Sequence, residues 1–104
     1  MSSKRLAVLE KMTAAGTKDP FAWYGLAMEY SSLGRTDDAL ATFEKLRALD
    51  ASYVAMYLMC GTMLVKAGRV DDGRAWLESG ITAARSKGDN HALSELQDAL
   101  AGLG

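Results

Sequence analysis

The chain has 104 residues, 49% of them hydrophobic, with 12 basic and 13 acidic side chains and a formal net charge of −1. That length fits one domain, the apolar content is enough for a packed core, and the charge balance gives no electrostatic reason to bind nucleic acid or anionic lipid. Lys4 and Arg5 precede too short an uncharged stretch for a signal peptide, no apolar run nears the roughly 20 residues of a membrane helix, and a lone cysteine forms no internal disulfide, so a cytoplasmic protein without membrane contact is expected.

Valine and isoleucine are few, strand-like alternation is absent, and glycines separate segments of helical length, so the chain is expected to be all-α with six helices. The first runs from Ser3 to Ala15, with Leu6, Leu9 and Met12 on its packed side. The second runs from Pro20 to Leu33, capped by Asp19, with the proline in the first turn where no N–H bond is needed. The third spans Thr36–Leu49 with Thr36 or Asp37 as cap. The fourth spans Ser52–Ala67 with Ser52 as cap. The fifth runs from Val70 to Ser86 with Asp71 near its start. The sixth runs from Asn90 to Leu103. Gly34, Gly68 and Gly88 fall just past helices, where a left-handed residue is wanted.

The stretch LGRTDDALATF (Leu33–Phe43) returns as AGRVDDGRAWL (Ala67–Leu77), identical at five of eleven positions after a shift of 34 residues. The same shift sets Trp23 on Tyr57, Leu26 on Cys60, Ala27 on Gly61 and Tyr30 on Leu64. Each copy is a helix, a Gly-Arg turn and a second helix, a unit that buries its apolar sides by stacking on its own kind. Trp23, Leu26, Ala27 and Tyr30, followed by Gly34, Ala39 and Phe43, resemble a tetratricopeptide repeat, and 34 residues is that family's period. Tyr57, Cys60, Gly61, Leu64, Gly68, Gly73 and Leu77 match more loosely, and Ala51 stands where the family usually has proline.

The resemblance implies a right-handed superhelical stack of antiparallel helix pairs. Residues 1–18 then form an N-terminal half-repeat helix, because Leu6, Leu9 and Met12 fall on Leu40, Phe43 and Leu46. Residues 20–53 and 54–87 are full repeats, and 88–104 is a C-terminal capping helix. In that last helix Ala92, Leu93, Leu96, Ala99, Leu100 and Leu103 share one face, and Ser94, Glu95, Gln97 and Asp98 the other. Met1 and the sealed C-terminal end are those expected of a whole chain.

Catalysis, metal binding and cofactor binding are not expected. Cys60 sits where the repeat buries an apolar residue, and His91 lies in the first turn of the last helix. Asp37–Asp38 and Asp71–Asp72 stand at helix N-termini, where carboxylates favour the dipole. Binding is the expected activity. The family's first helices line a concave surface, which implies a groove made by Phe21, Tyr24, Gly25, Met28 and Ser32 in one repeat. Ala55, Leu58, Met59, Thr62 and Lys66 extend it in the next. Gly25 would let a partner backbone approach, or is simply a tolerated glycine. Met28, Met56, Met59 and Met63 either fill the core or line the groove. Some family members clamp a C-terminal carboxylate with Lys, Asn and Arg. Here those positions read Tyr24, Met28, Leu58 and Thr62, so that activity is not expected. The partner is expected to be a protein helix or peptide, with a homodimer as the alternative. Gly73 and Gly80 are expected to serve tight helix packing.

Overall fold

The structure, a computed structural model, describes residues 3–103. Six helices and no strand occur among the described residues: α1 (Ser3–Ala14), α2 (Pro20–Ser32), α3 (Thr36–Leu49), α4 (Val54–Lys66), α5 (Val70–Lys87) and α6 (Asn90–Ala101). The chain divides into two compact units, residues 1–50 and 51–104. In the first, α2 packs on both α1 and α3. In the second, α5 packs on α4 and α6, and α6 also touches α4.

The repeated phrase works through its turn. Gly34 and Gly68 have φ of +75° and +85°, a region that costs glycine nothing. In each turn the glycine N–H bonds back to the carbonyl of Ser31 or Val65. The next N–H, of Arg35 or Arg69, reaches the carbonyl of Tyr30 (2.9 Å) or Leu64 (2.8 Å). This double closure satisfies carbonyls that the helix end leaves open. Gly88 closes α5 in the same way, with its own N–H on Arg85 and that of Asp89 on Ala84.

The arginines of the phrase then occupy the N-cap positions of α3 and α5, and neither caps through its side chain. Thr36 and Asp37 are therefore first-turn residues and not caps. Arg35 instead pairs with Asp38 (2.9 Å) and Arg69 with Asp72 (3.4 Å), one turn ahead on the exposed surface. Ser52 is likewise not the cap of α4: residues 51 and 52 form the turn, Tyr53 holds the N-cap, and the helix starts at Val54. Asp19 does cap α2, accepting the Phe21 N–H at 3.0 Å, and Asp89 caps α6 through the Ala92 N–H.

A second device repeats at the same spacing. The Trp23 indole Nε1 donates to the Thr17 carbonyl (2.8 Å), and the Tyr57 hydroxyl donates to the Ala51 carbonyl (2.6 Å). Both donors and both acceptors are 34 residues apart. The aromatic body packs in the core while its polar end ties down the turn before the helix.

Leu26, Ala27, Ala39, Phe43 and Leu46 are buried in the first unit, and Met56, Tyr57, Cys60, Leu64, Leu77 and Leu96 in the second. In the second unit α4 and α5 cross at two glycines. A Cβ at Gly73 would meet Val65 Cγ2 at 2.6 Å and the Gly61 carbonyl at 2.7 Å. Gly80 similarly admits the Tyr57 Cβ and the Leu96 methyls. Both glycines therefore serve close packing, as expected.

On α1, Met12 departs from the expected packed side and is 41% exposed. Leu46, its counterpart in α3, is fully buried. Leu6 and Leu9 are half-buried. The spacing of three is the same on both helices, so the difference comes from what packs on them.

Candidate functional site

The inner-face positions expected from the repeat are dealt with one unit at a time. On α2, Tyr24 and Met28 are half-buried and Ser32 is exposed at the helix end. On α4, Leu58, Met59 and Thr62 are half-buried, and Ala55 and Lys66 are exposed. The Thr62 hydroxyl donates within its own helix, to the carbonyls of Leu58 (2.8 Å) and Met59 (3.2 Å), so it asks nothing polar of a neighbour. The methionines divide. Met56 and Met63 are buried and fill the core, while Met28 and Met59 remain partly in water.

Phe21 and Gly25, also on α2, lie against α1. They line an open cleft of about 420 Å³ with Val8, Leu9, Met12 and Ala22, and Lys4, Arg5 and Asp19 complete its lining. Gly25 is not a notch for a partner's backbone. It is buried, and a Cβ there would lie 3.5 Å from both Leu9 methyls and 3.6 Å from Arg5. Phe21 is 64% exposed and Val8 58%. The sequence pattern did not mark Val8, and it placed Met12 in the core. The available signal was the shift by 34, which aligns Val8 with Thr42, a buried position of α3.

Polar contacts hold α1 onto α2 behind this cleft. Arg5 pairs with Glu29 at 3.2 Å, and the Tyr30 hydroxyl donates to Glu10 Oε2 at 2.6 Å. The bond to the Glu10 carboxylate, helped by partial burial, raises the Tyr30 pKa, because ionising the phenol would bring two negative charges together. The Arg35 guanidinium lies 4.5 Å from the centre of the same ring, a cation–π contact that ties the Gly-Arg turn to α2.

Cys60 is fully buried. His91 is exposed and faces Glu95 at 3.4 Å, one turn along α6. No cluster of His, Cys, Asp and Glu suited to a metal ion occurs among the described residues. No helix among them is long and apolar enough to cross a membrane.

The helix-turn-helix unit, its period, its closing glycines and its aromatic ties define an all-α helical-repeat protein. A tetratricopeptide repeat domain protein from Salinibacter ruber is similar in fold and sequence. Its crystal structure is 39% identical, matches 81% of this chain and 93% of its own, and superposes with a TM-score of 0.73. Its solution structure is also 39% identical, covering 81% of this chain and 85% of its own with a TM-score of 0.75. A protein from Bordetella parapertussis, solved in solution, is 31% identical over 94% of this chain and 85% of its own, with a TM-score of 0.81. No family model matches the chain, and no curated protein does. The chain belongs to the tetratricopeptide repeat family. Its fold is that of a protein-interaction module.

Proposed function

We propose that the chain is a non-catalytic adaptor that takes up a helix or an extended segment of a partner protein on an apolar helix face, that of α2 in the first unit or that of α4 in the second. The observation that carries this reading is the half-burial of Tyr24 and Met28 on α2 and of Leu58 and Met59 on α4, beside residues sealed from water. Covering such side chains gains roughly 25 cal/mol for each Å² of apolar area removed from water. Met28 and Met59 add flexible, polarizable surface that adapts to a partner's shape. The positions where relatives place a cationic carboxylate clamp hold Tyr24, Met28, Leu58 and Thr62, which favours an apolar helix over a charged chain end. A homodimer through the same faces is the second reading, favoured by the exposed Phe21 ring.

Light scattering over a wide concentration range separates the two. A mass of 11.2 kDa throughout leaves the faces free for a foreign segment, and a stable dimer refutes that arrangement. Affinity capture with the wild type, Tyr24→Asp and Leu58→Asp then tests the site. A partner held by the wild type and lost by both variants supports it, and a partner retained by both overturns it.

A further inference from the structure

The register of α1 against the later helices marks a second surface, at the α1 side of the first unit. The shift by 34 aligns Arg5, Val8, Leu9 and Met12 of α1 with Ala39, Thr42, Phe43 and Leu46 of α3. It aligns the same four with Gly73, Trp76, Leu77 and Gly80 of α5. All four are buried in α3 and all four in α5. In those helices a preceding helix, α2 or α4, packs alongside. Among the described residues no preceding helix packs on α1, and Val8, Met12 and Phe21 stand in water instead.

We propose that the cleft between α1 and α2 binds an acidic amphipathic helix of a partner protein. The cleft wall supplies the apolar half of this recognition through Val8, Leu9, Met12, Phe21 and Ala22. The rim supplies the charge. Lys4 and Lys11 flank Val8 one turn before and one turn after, on the same stripe of α1. Both are exposed, and neither has an acidic partner among the described residues. Arg5 is already neutralised by Glu29, and Asp19, also at the rim, is occupied as the cap of α2. The unmet charge at this edge is therefore positive, and glutamates flanking an apolar stripe complement it.

The same charges argue against a second copy of this chain. Two α1 helices laid in parallel set Lys4 against Lys4. Laid antiparallel about Val8, they set Lys4 against Met12 and Lys11 against Arg5, so no acidic residue of α1 meets either unpaired lysine. The α6 helix of another copy fits no better. Its apolar face is already engaged within its own unit, where α6 packs on α5 and α4 and Leu96 is fully buried.

The test is a nitrogen-15 NMR titration of the whole chain with a synthetic helical peptide of α2's length. The peptide carries leucine and alanine at i, i+3, i+4 and i+7 and glutamate elsewhere. Expected are shifts confined to residues 4–12 and 19–25. Affinity should fall by roughly tenfold or more when lysine replaces the peptide's glutamates, and again in Val8→Glu/Met12→Glu protein. Both substituted residues are exposed, so the variant keeps its fold. The proposal is overturned by no shift at the cleft, by equal binding of the lysine peptide, or by a dimer that the double variant dissolves. Shifts at Met28, Leu58 and Met59 alone also overturn it, and leave the adaptor reading of those faces standing.

Discussion

The two units use one helix-pair plan and finish it differently. In the second, α6 closes the pair: Leu96 is fully buried, and Ser94, Glu95, Gln97 and Asp98 face water. In the first, α1 holds the edge through polar contacts, Arg5 with Glu29 and Tyr30 with Glu10, and leaves Val8 and Met12 uncovered. A repeat has to be terminated wherever its own copies stop. At the other edge, α6 has one wet side. The α1 edge keeps the apolar stripe of a buried helix, with Val8 and Met12 in water.

The largest expected contrast comes from deleting matched side chains at the two edges. Leu96→Ala should destabilise the protein by about 2–5 kcal/mol, because a fully buried leucine leaves both a transfer loss and a cavity. Val8→Ala should stay within about 0.5 kcal/mol. Urea unfolding of both variants measures this directly. Equal losses would mean that Val8 is covered in solution, and the contrast between the edges would fail.

The second contrast concerns close approach. Gly73→Ala forces a methyl against the Val65 side chain and the Gly61 carbonyl, and the carbonyl is backbone that cannot swing aside. A loss of about 1–3 kcal/mol is expected from overpacking. A neutral Gly73→Ala in thermal or urea unfolding would show that α4 and α5 slide apart easily.

These differences mark where the sequence is legible and where it is not. The helices and their closing glycines follow from local chemistry: glycine alone takes the left-handed turn cheaply, and Pro20 behind Asp19 starts a helix whatever surrounds it. The caps of α3 and α4 were misplaced for an equally local reason. The closing turn runs straight into the next helix, so the arginine of the Gly-Arg pair takes the N-cap before Thr36 is reached, and the turn at residues 51 and 52 pushes the start of α4 past Ser52. Met12 was misplaced because burial belongs to a pair of helices. Leu46 and Met12 occupy the same place in the same pattern, and only the neighbouring helix separates them. The candidate surface has the same limit. Helical spacing puts Phe21, Tyr24, Gly25 and Met28 on one side of α2, but it took the position of α1 to show that Phe21 and Gly25 lie against that helix.

A smaller effect tests the polar tie at the α1 edge. Tyr30→Phe removes the bond to Glu10 and should cost about 1 kcal/mol at neutral pH. The folded state raises the Tyr30 pKa, so this contribution is whole below the unfolded value of 10.0 and is lost as pH climbs through the folded value. The gap between wild type and Tyr30→Phe in urea midpoints should therefore narrow above the ordinary tyrosine range. A gap that is constant with pH would mean that the hydroxyl contributes through packing alone.

The smallest expected change has the opposite sign and bears on α1 itself. Gly25 sits inside α2, where glycine is roughly 0.5–1 kcal/mol worse than alanine. An added methyl would meet the Leu9 methyls at 3.5 Å, an ordinary contact with the far end of a flexible side chain. Gly25→Ala should therefore be neutral or stabilising by a few tenths of a kcal/mol to about 1. The comparison with Gly73→Ala is then between two buried helical glycines of one chain, one met by rigid backbone and the other by a mobile leucine. A loss at Gly25 as large as that at Gly73 would mean that α1 is locked on α2 as firmly as α5 on α4. An edge so rigid would admit only a partner helix that fits the cleft as it stands, without any shift of α1.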